Sequence, residues 1–173
     1  MDDLRMKMEA GQNKLEELMH KIPGFSGYLD RENRREADSI QREFLARRLT
    51  ELKGKIQEAQ ADLLSAGNLD VMEPFDNVNN KLDRVIERIR HASRGYAGFF
   101  DAVKVNEAEL DRIYDFDLAL VSGISAAEEA LMAVTATADQ EGDLKPVLRA
   151  LNTRVTELDS SLDERDRVLK GVG

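Results

Sequence analysis

Along most of this chain apolar side chains return at alternating steps of three and four, the period of a helix with one covered face. Glycine and proline interrupt the pattern four times: at Pro23-Gly24-Phe25-Ser26-Gly27, at Gly67-Asn68 with Pro74 beyond, at Gly95 and Gly98, and at Gln140-Glu141-Gly142. The pattern predicts five helices, over about 2–22, 30–66, 74–93, 106–137 and 143–170. The first carries Leu4, Met8, Gly11, Leu15, Leu18 and Ile22 on one stripe. The second begins Ala37, Ile40, Phe44, slips by one position, and continues Leu45, Leu49, Leu52, Ile56, Ala59, Leu63. The third carries Phe75, Val78, Leu82, Val85 and Ile89, with Pro74 near the first helical position, where its missing N–H costs nothing. The fifth carries Leu144, Leu148, Leu151, Val155, Leu158, Leu162 and Leu169, with Arg165 occupying one seam position. Only Val103-Lys104-Val105 alternates with the period of a strand, and it is too short to found a sheet. The expected fold is all-α: a single domain over 1–173, an elongated antiparallel bundle of about five helices with coiled-coil-like packing.

The fourth helix is the most informative. A stripe of large residues, Leu110, Ile113, Leu120, Ile124, Leu131 and Val134, runs beside a stripe of small ones, Ala119, Gly123, Ala126, Ala130 and Ala133. Two faces without bulky charge predict a helix covered on two sides, the most buried of the five. Asp117 falls inside the large stripe, and a buried carboxylate is costly unless paired. A structural ion pair to an arginine is expected there, or a bond to a tyrosine hydroxyl, with Arg34, Arg35 and Arg88 as the first candidates and Asp117–Arg88 as the pair put forward. A catalytic or metal-binding carboxylate is the sharper alternative.

If the helices alternate in direction, the first rising, then the segments 23–29 and 94–105 share one end of the bundle with the C-terminus. Five of the nine aromatic residues lie in those two segments: Phe25 and Tyr28 in one, Tyr96, Phe99 and Phe100 in the other. Arg31, Arg34 and Arg35 open the second helix at the same end. Aromatic rings and arginines dominate protein-binding hot spots, so Phe25, Tyr28, Arg31, Arg34, Arg35, Tyr96, Phe99 and Phe100 form a candidate partner-binding surface. Equally, the rings can plug the bundle end and the ion pairs staple it.

Composition narrows the chemistry. The 173 residues include no Cys, no Trp and only 2 His, which excludes a disulfide scaffold, a zinc finger and a thiol enzyme. The formal net charge is -9, and residues 106–173 supply most of it, with 15 acidic against 7 basic groups. Such a surface repels phosphate backbones, so nucleic acid is not an expected partner. A di-metal bundle needs two Glu-x-x-His motifs, and only Glu17-Leu18-Met19-His20 is present. No phosphate-binding glycine loop or serine nucleophile elbow occurs, so neither a cofactor, a metal nor an enzymatic activity is expected. No unbroken apolar run approaches the roughly 18 residues of a membrane span, and the first residues lack a signal-peptide pattern. A cytoplasmic location is the expectation.

Two stretches carry a resemblance. Ile22-Pro23-Gly24-Phe25-Ser26-Gly27-Tyr28 with Arg31-Glu32-Asn33-Arg34-Arg35 is one, and Gly95-Tyr96-Ala97-Gly98-Phe99-Phe100-Asp101-Ala102-Val103-Lys104-Val105 is the other. Together, over roughly residues 22–121, they resemble a pattern that recurs in bacterial all-helical proteins without an assigned activity. The resemblance implies no catalytic residues. It implies a partner among membrane-associated scaffold proteins of the stomatin/flotillin type. The functional expectation is a non-enzymatic helical scaffold or adaptor that binds a protein partner through its aromatic–arginine end. The alternative is an acidic secretion- or assembly-type chaperone for a basic client. The regular seam of the fifth helix also allows a homo-oligomer.

Overall fold

The computed structural model describes residues 1–92, 97–102 and 104–171. Among the described residues there is no strand, and six α-helices pack into an antiparallel bundle. They are α1 (Asp2–Lys21), α2 (Arg34–Ser65), α3 (Met72–His91), α4 (Ala97–Asp101), α5 (Glu107–Asp139) and α6 (Leu144–Gly171). Call the end holding α4 the upper end. From there α2 descends, α3 returns, α5 descends and α6 returns. Gln41 and Arg48 of α2 stand level with Asp117 and Glu128 of α5, and Asp83 and Asp76 of α3 face Lys53 and Gln60 in reverse order.

Local chemistry sets the ends of these helices. Asn106 forms a capping box with Glu109: its side chain accepts from the Glu109 N–H at 2.8 Å, and the Glu109 carboxylate accepts from the Asn106 N–H at 3.1 Å. Asp143 accepts from the Lys145 N–H at 3.1 Å to start α6. At the foot of α2, Gly67 takes φ +91°, and Asn68 and Gly67 donate back to the carbonyls of Leu63 and Leu64. The foot of α5 uses the same motif, but Glu141 holds the left-handed position at φ 54° and Gly142 comes one residue late. A 3₁₀ turn, Leu69–Val71, leads α3 in, so Pro74 falls third in the helix, still within the turn whose N–H groups lack helical acceptors.

α1 departs from the alternating pattern. Lys14 reaches both Asp111 and Asp115 at 2.8 Å, Gly11 faces Asp111, and Gly24 lies against Ile40. Numbers therefore rise together along α1 and α5, and α1 descends beside α5 instead of rising. Residues 23–30 are a strap that reverses at Gly24 (φ +83°) and Gly27 (φ +86°) and climbs to the top of α2. The two aromatic segments still meet, because the strap brings Tyr28 back to the upper end.

α5 packs on α1, α2 and α6, and its whole large stripe is buried, Asp117 included. The small stripe is not covered as expected. Gly123 admits Leu158 of α6, whose Cδ2 lies 2.7 Å from where a Cβ would sit, but Ala119 and Ala133 are exposed. By length and composition α5 is also apolar enough to cross a membrane, with a mean hydropathy of 1.4 over 18 residues. The expectation that nothing reaches that threshold rested on unbroken apolar runs, and α5 reaches it through alanines spread among polar residues. Here it is a bundle helix. The seam of α6, from Leu148 to Leu169, is buried within the chain, so it is not available for self-pairing.

Candidate functional site

The upper end is built around Tyr28. Its ring stands edge-on to Phe25 (5.3 Å between centroids) and Phe99 (5.5 Å) and stacks on Tyr114 (5.8 Å). Phe100 follows Phe99 at 5.6 Å. Phe25, Tyr28, Phe99 and Phe100 are all buried. The Tyr28 N–H donates to the Tyr114 hydroxyl at 3.0 Å, which fixes the strap on α5. Gly27 is required beside it, since a Cβ there would lie 2.7 Å from that hydroxyl.

Arg34, also buried, binds no carboxylate among the described residues. It donates to the carbonyls of Tyr28 (2.8 Å), Phe99 (3.3 Å) and Ala102 (2.6 Å), and lies over the Phe99 ring. Two of these carbonyls belong to the C-terminal end of α4, where a cation completes bonds the helix cannot make. Arg34 thus rivets the strap and α4 to the start of α2.

Beneath the rings lies a buried polar cluster drawn from three helices and the strap. The Asp117 carboxylate accepts from Arg165 Nε (2.6 Å) and Gln41 Nε2 (2.9 Å) on one oxygen and from the Tyr28 hydroxyl (2.7 Å) on the other. Arg165 also donates to the Tyr28 hydroxyl at 3.1 Å and to Asp38 at 3.2 Å, and Asp38 is held by Arg42 at 2.7 Å. Two carboxylates thus face two guanidinium groups, which is how buried charge becomes tolerable. Burial pushes the Asp117 carboxyl above its ordinary value, against the opposing pull of Arg165 and the Tyr28 hydroxyl. Burial, then the Asp117 charge, raises the Tyr28 phenol well above its ordinary value, so it stays a donor. Among the described residues Gln41 Oε1 has no partner.

These positions correct several expectations. Phe25, Tyr28, Phe99, Phe100 and Arg34 do not form a partner-binding surface. They are enclosed by their own chain, with the rings packed on one another and on Tyr114. Arg31 and Arg35 are exposed, Arg35 pairing with Asp101 at 3.1 Å over the Phe100 ring. Tyr96 lies outside the described residues. Arg88 does not pair with Asp117. It forks to Asp159 (2.7 Å), Asp163 (2.6 Å) and Asp166 (3.2 Å) of α6, because α3 and α6 run side by side and place those acids one turn apart before it. The partner of Asp117 is Arg165, which the sequence marks as a second intruder in an apolar seam. Both lie 24 residues from Glu141, one before and one after. In a hairpin turning at Glu141 that symmetry sets them level.

Enclosure also decides the chemistry. The Asp117 cluster is covered by rings, so it serves as a staple between helices rather than as an open reactive site. His20 is exposed, and His91 pairs with Glu87 at 3.2 Å. Among the described residues no group of three or more His, Asp or Glu side chains is placed to hold a metal ion. An open groove of about 990 Å³ lies at the opposite end, between the α2–α3 turn and the start of α6, with Leu69, Asp70, Glu73, Asp143 and Arg149 among its walls.

What the upper end does offer outward is α1. Residues 1–10 are all exposed, with Leu4 at 64% and Met8 at 48%, whereas Leu18 and Ile22 on the same stripe are fully buried. No family model, curated protein or solved structure matches the chain.

Proposed function

We propose that this protein is a non-enzymatic helical scaffold that binds another protein with the upper end of its bundle, using the first half of α1 as the contact element. One observation carries this reading. The apolar stripe of α1 is continuous from Leu4 to Ile22, yet only its lower half has a surface to cover it. Exposed residues in helical register with a packed seam are what helix-in-groove recognition uses. Leu29, Arg31 and Arg35 border the same end.

The chaperone reading draws less support. It needs free carboxylates on the acidic last third, and part of that acidity, Asp159, Asp163 and Asp166, already pairs with Arg84 and Arg88.

The test compares affinity capture from cells by the full chain and by Leu4→Asp, with circular dichroism to show that the variant is folded. The expected result is a captured protein lost with Leu4→Asp. Scaffold proteins of the stomatin/flotillin type are the first class to look for. Identical captures from both chains would remove α1 from the interface.

A further inference from the structure

We infer that Met8 is an oxidation site that switches the contact made by α1: as a thioether it belongs to the apolar stripe, and as a sulfoxide it takes that stripe out of use. This rests on the reading of α1 as a contact element and names how that element is regulated.

The first observation is where the methionines do not lie. Methionine is ordinarily among the more deeply buried residue types. Here all six are exposed, none below 47%, and among the described residues the buried apolar side chains are Leu, Ile, Val, Ala, Phe and Tyr. The chain also has no Cys and no Trp. A peroxide that meets the folded protein thus finds the thioethers, its readiest targets, entirely on the surface. Oxidation there leaves the packing of the bundle as it was.

The second observation is where they do lie. Met6, Met8 and Met19 are on α1, and Met1 sits at its cap. Met8 stands one turn beyond Leu4 on the stripe that continues to Leu18 and Ile22, and Met1 stands one turn before Leu4. In the uncovered half of α1 the stripe therefore consists of two thioethers and one aliphatic side chain. Unbranched thioethers adapt to irregular apolar surfaces, which suits a contact element. They are also open to a reversible change. When the Met8 sulfur attacks hydrogen peroxide, an S–O bond forms as the O–O bond breaks. The sulfur gives up two electrons, the peroxide is reduced, and the proton of the transferred hydroxyl passes to the departing hydroxide, leaving sulfoxide and water. The sulfoxide is polar, so docking the stripe on an apolar partner surface would bury an acceptor without a donor. Reductases that act on methionine sulfoxide restore the thioether.

The test is affinity capture from cells with the purified full chain as bait, untreated, treated with hydrogen peroxide, or treated and then reduced with the two methionine sulfoxide reductases, one for each epimer. Mass spectrometry of the bait is expected to show one added oxygen at Met8, with Tm moved by less than about 2 °C. A protein that Leu4→Asp fails to capture is lost after peroxide and returns after reduction. Met8→Leu, apolar and inert to peroxide, keeps that protein through the treatment. Met8→Gln, polar and of similar length, loses it with no peroxide at all, whereas Met72→Gln and Met132→Gln, away from α1, keep it. An unoxidised Met8 in the folded chain, a capture indifferent to peroxide, or a loss of capture by peroxide-treated Met8→Leu each overturns the inference. If Leu4→Asp loses a captured protein while peroxide does not, the scaffold reading stands and the switch falls. If Leu4→Asp captures what the wild type captures, the contact reading falls and the switch with it.

Discussion

Removing the Arg165 cation tests the buried cluster most directly. Arg165→Met keeps the length of the side chain and its apolar stem, but leaves Asp117, with no exposure to solvent, facing only Gln41 and the Tyr28 hydroxyl. Breaking a buried ion pair from one side costs about 3–5 kcal/mol, because the remaining charge is uncompensated. Two neutral donors still hold Asp117 and Arg42 still holds Asp38, so the lower figure applies, about 3 kcal/mol. For a domain of this size that lowers Tm by about 6–12 °C. The loss depends on pH in a defined direction. Burial raises the folded Asp117 carboxyl above its unfolded value near 3.8. A raised carboxyl binds its proton more tightly folded than unfolded, so its contribution to stability improves as pH falls from the folded value toward 3.8 and is worst above that window. Without Arg165 the rise is larger, and the gap between variant and wild type narrows on acidification through the same window. Thermal unfolding followed by circular dichroism from neutral pH toward pH 4 measures both effects. Adding Asp117→Asn to Arg165→Met removes the uncompensated charge, so the double variant is more stable than Arg165→Met alone. A double variant no more stable than the single one, or a single variant within about 1 kcal/mol of wild type at neutral pH, refutes the pairing of these two groups as the source of the cost.

Other expectations follow from single contacts. Gly27→Ala puts a Cβ 2.7 Å from the Tyr114 hydroxyl in a left-handed residue, whereas Gly24→Ala meets nothing closer than 3.9 Å; denaturant titration should show a loss of about 2 kcal/mol or more for the first and about 1 kcal/mol for the second. Arg88→Ala removes three ion pairs between α3 and α6 and lowers stability by about 1 kcal/mol at low salt and less at high salt. Because the partners of Arg88 (Asp159, Asp163 and Asp166) and those of Asp117 (Arg165, Gln41 and Tyr28) are different side chains, Arg88→Ala and Asp117→Asn combine additively within about 0.5 kcal/mol in a double-mutant cycle. Glu141→Gly relieves a left-handed residue at the foot of α5 and raises stability by about 0.5–1 kcal/mol, read as an increase in Tm.

Helix boundaries were legible because they depend on local chemistry: the caps at Asn106 and Asp143 and the glycine at 67 act within a few residues. The direction of α1 was not. Nothing in Pro23-Gly24-Phe25-Ser26-Gly27 distinguishes a tight helical hairpin from a strap that doubles back, since both need the same left-handed glycines. The rings were visible as a cluster, but whether they face outward depends on whether anything else can cover them, which is a property of the whole end.

The apparent slip in the stripe of α2 has a different cause, and it bears on how the bundle chooses its register. The buried line does not move from Phe44 to Leu45. It runs unbroken through Arg34, Asp38, Gln41, Leu45, Leu49 and Leu52, with polar residues in its first three places, while Ile40 and Phe44 are only partly covered. A search for apolar periodicity passes over those three and adopts their neighbours. The lower layers of the bundle, Ile56, Leu63, Val78, Leu131 and Leu151 among them, are interchangeable aliphatic contacts. Such layers tolerate sliding one helix past another by a turn. The upper layer does not, because a slip of one turn would part Asp117 from Arg165 and Gln41 and leave both charges buried and unpaired. The polar layer therefore acts on the alternatives more than on the native state: replacing Asp38, Gln41, Asp117 and Arg165 together with aliphatic residues should leave the helical content intact while weakening the near-ultraviolet circular dichroism and broadening the amide resonances of the upper end.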